Sequence, residues 1–324
     1  MTEPDKSNNL SWEQKLLTDY FQTIHKEQVR DRRWSLALRT LRTVGVVLMM
    51  LVAYALVQRP TLMPWESSNT KGPHTAQIFL KGTITADSVA SADNLIPAIK
   101  AAFENEQSRA VIIRVNSPGG SAVQAGLMYD EIKAQRIIHP GKPVYAVIED
   151  IGASGGYYVA MAADKIFANR ASLVGSIGVI SSSFGFTGLM DKLGIERRSI
   201  TAGANKDLLD PFSPLTNDTK AFWESVLAQT HKQFTDRVIE SRGDRLPKDD
   251  SRLFSGLIWN GEQAMNLGLI DGLESVESVA REIVGESTIV NYTPREDMFS
   301  KLASKATIKA AEALNTFSSF NFSF

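Results

Sequence analysis

No cysteine occurs among the 324 residues, which removes disulfides, thiolate nucleophiles and cysteine-held metal from consideration. Histidine is nearly as scarce. His25, His74, His139 and His231 are scattered and form no HExxH-like ligand pair, so no metal and no cofactor is expected. An excess of one charge is also lacking: 35 Lys and Arg against 36 Asp and Glu leave a formal net charge of −1, which gives no reason to expect nucleic acid as a partner. Repeats and low-complexity tracts are missing as well. The rest of the composition, 43% hydrophobic and 22% charged, is that of an ordinary globular chain with one large domain or two.

A long apolar run is wanting too, but one stretch comes close. The 16 uncharged residues between Arg42 and Arg59 fall a little short of the ~20 that a membrane span prefers. Arg39 and Arg42 can snorkel, and Leu36, Leu38 and Leu41 extend the apolar face, so residues 43–58 are expected to be a transmembrane signal anchor. The basic residues before it (Lys26, Arg30, Arg32, Arg33, Arg39, Arg42) orient residues 1–42 toward the cytoplasm and the remainder outside. Within 1–42, Trp12, Leu16, Leu17, Tyr20, Phe21 and Ile24 recur at helical spacing. A 42-residue charged preamble is too long for a cleaved signal peptide, although Ala53-Tyr54-Ala55 has the small-x-small form. Residues 59–75, rich in proline and serine, read as a linker.

From residue 76 to about 290, apolar runs alternate with helical periodicity. Strands are predicted at Ala76–Leu80, Ala110–Val115, Pro143–Ile148, Lys165–Ala168 and Gly178–Ile180. Helices are predicted over Ser88–Glu104, Ala122–Arg136, Tyr157–Ala163 and Asp218–Arg242. The last of these would turn Phe222, Val226, Leu227, Phe234 and Val238 inward and stop at Gly243. Such alternation predicts βα units around a largely parallel sheet, with the site at the carboxyl edge. The tail from 291 to 324 ends in Phe317, Phe320, Phe322 and Phe324, and is expected to contact a neighbouring subunit.

The stretch with most chemistry is Asp150-Ile-Gly-Ala-Ser154-Gly-Gly-Tyr-Tyr-Val159. A serine at the mouth of a sharp glycine turn before a helix suits a nucleophile whose attack creates an oxyanion. It suits an N-capping serine equally, and on this stretch alone capping is the commoner use. A nucleophilic serine needs a base. His231 lies mid-helix among polar neighbours and reads as a solvated surface residue, and no other histidine sits beside a glycine turn, which disfavours a Ser-His-Asp triad. A lysine serves if burial lowers its pKa toward neutrality. Lys206, after Gly203-Ala204 and flanked by apolar residues, is the candidate; the bland alternative is a surface lysine paired with Asp207.

Four motifs in order, Asn116-Ser-Pro-Gly-Gly120, Gly152-Ala-Ser-Gly-Gly-Tyr-Tyr158, Val174-Gly-Ser-Ile-Gly-Val179 and Gly203-Ala-Asn-Lys-Asp207, resemble the membrane-anchored serine-lysine peptidases of family S49, the signal peptide peptidases. The resemblance runs through about 76–285 and fits the short bacterial form, with SohB-type peptidases sharing the core. It implies a crotonase-like or Clp protease-like α/β core and a ring-shaped homo-oligomer. Ser154 would be the nucleophile, Lys206 the general base and Ser176 a residue that aims the lysine, while Gly119 and Gly155 would supply the oxyanion hole. The implied substrates are signal peptides or other apolar, unfolded peptides at the membrane. Other readings are an acyl-CoA hydratase on a similar core, opposed by the lack of glutamate in the glycine turns, and a non-enzymatic membrane scaffold.

Overall fold

The computed structural model describes residues 34, 39–50, 72–247 and 250–294. They fall into two compact units divided after Leu62. In the first, residues 39–50 form an exposed helix, α1, in which the Thr43 hydroxyl donates to the Arg39 carbonyl. Among the described residues no helix is long and apolar enough to cross a membrane. The expected anchor lies partly outside the described residues, the helical spacing from Trp12 to Ile24 lies wholly outside them, and so does the tail after residue 294.

The second unit begins with β1 (His74–Lys81), α2 (Ala92–Glu104), β2 (Ser108–Ser117), α3 (Ala122–Ile138), β3 (Val144–Ala153) and α4 (Gly155–Ala160). There follow β4 (Lys165–Ala168), β5 (Leu173–Gly175), α5 (Thr187–Leu193), α6 (Asn217–Arg242), β6 (Ile258–Asn260), α7 (Gly261–Asn266), α8 (Val276–Ser278) and β7 (Ile289–Asn291). The strands make one sheet in the order β6-β5-β3-β2-β1-β7, with β4 also paired to β3. Every pairing is parallel except β5 with β6. This is the mixed α/β architecture that the alternating pattern predicts.

The physical reason is legible in β2. Val111, Ile113 and Val115 enter the larger core beneath α2, α3 and α4, while Ile112 points into a smaller cluster with Val147, Phe167, Val276 and Val279 on the opposite face. A parallel strand covered on both faces reads as an unbroken apolar run, and this one does. Helix starts follow their caps. Ser91 accepts from the Asn94 amide, so α2 begins at Ala92 rather than near Ser88, whose hydroxyl is spent on a turn with Thr85. Ser121 accepts from Gln124 and starts α3 where expected.

Three expectations need correction. Gly178–Ile180 is not a strand. The fifth strand lies upstream at Leu173–Gly175, because positive φ at Gly175 (112°) and Ser176 (51°) turns the chain out of the sheet. In α6 the large apolar side chains are buried only in the carboxyl half: Phe234 and Val238 are inward, whereas Phe222 and Val226 are exposed. His231 is not simply solvated, since its Nε2 is buried without a hydrogen-bond partner.

One detail of the sheet places the site. β3 is ten residues long and changes neighbour midway. Tyr145–Ile148 pair with β4, and Ile151–Ala153 pair with β5. The buried Ser172 hydroxyl, donating to the Ile148 carbonyl at 3.2 Å and also to that of Glu149, holds the crossing point. The carboxyl ends of β2, β3 and β5 therefore lie side by side.

Candidate active site

Ser154 follows directly on the last paired residue of β3, and Ser176 directly on the last paired residue of β5, since Ala153 and Gly175 are in register. Both serines have φ of +51°, and among the described residues they are the only non-glycine residues with positive φ. The Ser154 amide donates to the Gly175 carbonyl at 2.8 Å, which fastens the two turns together, and the Ser176 amide donates to Leu257 at 2.7 Å. Strained backbone of this kind, of order 1–3 kcal/mol per residue, persists where the surrounding structure imposes it. Ser154 stands at the N-cap of α4 but makes no side-chain cap hydrogen bond. The capping alternative therefore falls, and the hydroxyl is left facing a cleft.

The turn after β2 closes over this serine. A Cβ on Gly119 would sit 2.6 Å from the Gly155 nitrogen and 2.7 Å from the Ser154 Cβ, so only glycine fits there. Gly119 also has φ of +98°. Its amide donates to the Ser117 hydroxyl at 3.2 Å, and that hydroxyl donates to the Gly82 carbonyl at 2.7 Å. Gly156 packs as tightly, with a Cβ position 2.6 Å from the Ser117 carbonyl. Gly119, Gly155, Ser154 and Ser176 are thus brought to one place.

Lys206 is not. It stands exposed in the turns that precede α6, with its stem lying over Gly203, where a Cβ would meet Lys206 Cγ at 3.1 Å. It does not line the cleft beside Ser154.

That cleft, ≈ 160 Å³, opens against Ser154, Gly155 and Gly120. Its far wall comes from α6, through Thr230, Gln233 and Phe234, which no motif in the sequence links to the site. The available signal was weak: Phe234 reads as an inward position, but nothing in a helical repeat says what it faces. Phe184, Phe186 and Leu208 do not line this cleft. Phe186 stacks on Phe212 (centroids 5.5 Å apart) in a separate apolar groove beside α5, and Phe184 is 80% exposed.

The wall is held by a buried clamp. Arg242, 2% exposed at the end of α6, forks onto Asp271 (2.9 and 3.0 Å) and donates to the Gly268 carbonyl at 2.7 Å. Asp271 also accepts from the Ile166 amide at 2.7 Å. Burial alone would raise the Asp271 pKa, but the bonds from Arg242 and Ile166 outweigh it and hold the carboxyl below its ordinary value. Alongside, Tyr157 donates to the Leu269 carbonyl at 2.6 Å, and complete burial keeps its phenol far above the usual range. Among the described residues no group of His, Asp or Glu is arranged to hold a metal ion.

Comparison with known proteins gives the following similarities. Residues 137–289 match Peptidase family S49. The chain is 45% identical over 188 residues to the Na(+)/H(+) antiporter NhaA of Brucella abortus, covering 58% of this chain and 25% of that one. It is 35% identical over 208 residues to the chloroplastic serine protease SPPA of Arabidopsis thaliana (63% of this chain, 30% of that one). It is 30% identical over 205 residues to the putative signal peptide peptidase SppA of Enterococcus faecium (61% and 58%). The chain spans a quarter of the length of the Brucella relative and under a third of the Arabidopsis one. Sheet, serine turn and relatives together resemble those of serine peptidases. The part of the chain that matches peptidase family S49, residues 137–289, contains Ser154, Ser176 and Lys206.

Proposed function

We propose that the chain is a serine endopeptidase with Ser154 as nucleophile, on a crotonase-like or Clp protease-like core. The observation that carries this is the uncapped Ser154, held at φ +51° on the rim of a cleft with glycine turns on both sides. Lys206, as the neutral amine, takes the hydroxyl proton while Ser154 Oγ bonds to a peptide carbonyl carbon. The resulting oxyanion is received by the Gly155 amide and by that of Gly119, which exchanges Ser117 for the substrate oxygen. The lysine hands its proton to the departing amine as the C–N bond breaks. Water then attacks the acyl-enzyme, giving its proton to the same lysine, and Ser154 is regenerated. Ser176, tied to Ser154 through the Gly175 carbonyl, is suited to accept a hydrogen bond from the lysine and aim it.

Lys206 does not line the cleft of its own chain, which favours a site completed between neighbouring copies in a ring-shaped homo-oligomer. Docking against a neighbour would also supply the desolvation that a lysine base requires. With residues 43–58 as a single-pass anchor and residues 1–42 in the cytoplasm, the peptidase domain would stand on the outer face of a bacterial inner membrane. Its substrates there would be released signal peptides and other apolar, unfolded segments.

The test is covalent labelling of the full chain in detergent with a fluorophosphonate probe across pH 6–10, the adduct being located by mass spectrometry. Labelling at Ser154, abolished in Ser154→Ala and in Lys206→Ala, is the expected result. A folded, assembled protein that takes no label would overturn the assignment in favour of a scaffold.

A further inference from the structure

The cleft beside Ser154 carries information about what the enzyme accepts. Not one of its lining residues is charged. Its polar side chains besides Ser154 are those of Tyr158, Thr230 and Gln233, all uncharged, and its remaining walls are glycine, alanine, aliphatic residues and Phe234. A charged side chain entering it would lose water and find no counter-ion. Opposite α6, the wall is made by two alanines of α3, Ala122 and Ala125, the second fully buried.

Phe234 is the largest α6 residue in this wall, and it is fixed. It is 6% exposed and packs on Tyr158 with ring centroids 5.2 Å apart. Tyr158 in turn meets Tyr129 edge-on at 5.3 Å, and Arg237 lies over the Tyr129 ring at 5.1 Å. Two turns further along α6, the Arg242–Asp271 clamp ties the helix to the start of β4. The wall facing Ser154 is therefore a braced aromatic surface that cannot yield to a larger guest without disturbing α3, α4 and α6 together.

Given Ser154 as the nucleophile, we infer that Phe234 sets the size of the substrate side chain at the residue whose carbonyl is attacked, and that this side chain is an uncharged aliphatic one. Once that carbonyl is in place over Ser154 with its oxygen toward Gly155, the cleft is the space that Ser154 and Gly155 leave for the adjoining side chain. Phe234 and Ala122 bound it from two different helices, so substitutions at the two positions should move the preference in opposite directions.

The experiment uses the full chain in detergent and a series of fluorogenic peptides that differ only at this residue: Ala, Leu, Trp and Lys. The wild type should prefer Leu over Trp and over Lys. Phe234→Ala should raise the Trp-to-Leu ratio of kcat/KM by about tenfold or more, and Ala122→Leu should lower the Leu-to-Ala ratio by a similar factor. Ala122 is an exposed first-turn position of α3, so this second variant keeps the question open if Phe234→Ala fails to fold. Fluorophosphonate labelling runs in parallel. Label at Ser154 with ratios unchanged in both variants would overturn the role of Phe234 and leave the peptidase assignment standing. Absence of label in the wild type would overturn both.

Discussion

At the scale of single residues, the site depends on how closely two backbones approach. The Cα of Gly119 rests against both the Ser154 side chain and the Gly155 amide, and at φ of +98° it adopts a conformation that side chains resist. Gly119→Ala should therefore push the turn away from Ser154 and lower the rate of fluorophosphonate labelling by about 100-fold, the scale of a lost oxyanion donor. Thermal melting of the same sample separates this local effect from unfolding. Residue identity made much of this legible: a serine between an apolar strand and two glycines has few uses, and a second glycine pair followed the neighbouring strand. What residue types do not reveal is state. Whether Ser154 caps its helix is decided by φ and by where the hydroxyl points, and neither is written in the letters. Lys206 shows the same limit, because an order of motifs cannot say whether the proposed base and nucleophile meet within one chain.

At the scale of elements, caps and buried pairs decide where helices sit. The sequence pattern locates α3 and α6 to within a few residues because Ser121 and Gly243 are strong local punctuation, whereas it starts α2 too early because Ser88 resembles the true cap, Ser91. It misplaced the fifth strand because Gly178-Val-Ile180 has the apolar look of one, whereas Gly175 and Ser176 had already left the sheet. It also buried all of α6, although only the half braced by Arg242 is covered; nothing in the repeat distinguishes the two halves. The clamp has a definite acid signature. Asp271 has a folded pKa below its ordinary value, so its contribution is complete above the unfolded value of ~3.9 and is lost as pH falls through the folded one. Asp271→Asn should cost about 3–5 kcal/mol at pH 7, because a buried guanidinium loses its counter-ion. It should also flatten the fall in stability on acidification, as read by urea denaturation at several pH values. Equal slopes for variant and wild type below pH 5 would refute the linkage.

For the whole molecule, the sheet order and the serine turns come from within one chain, while the position of Lys206 directs attention to a second. If neighbouring copies share each site, Ser154→Ala and Lys206→Ala chains, each inactive alone, should recover peptidase activity when mixed and reassembled. In a mixed ring, sites that combine an intact Ser154 with an intact Lys206 become available. Mixing that restores nothing, in assemblies shown to contain both chains, would place base and nucleophile in one copy.

The change of partner midway along β3 has a consequence for how the chain tolerates altered length. Ser154 and Ser176 sit in the same row because each follows the final rung of a shared ladder. One residue more or fewer between Ile151 and Ser154, or between Leu173 and Ser176, would displace one serine by about 3.3 Å and turn its side chain to the other face of the sheet. The turns around Lys206 are under no such constraint, since that segment pairs with no strand. Length is thus a coded quantity on one side of Ser176 and a free one on the other, and a scan of single-residue insertions would trace the boundary between them.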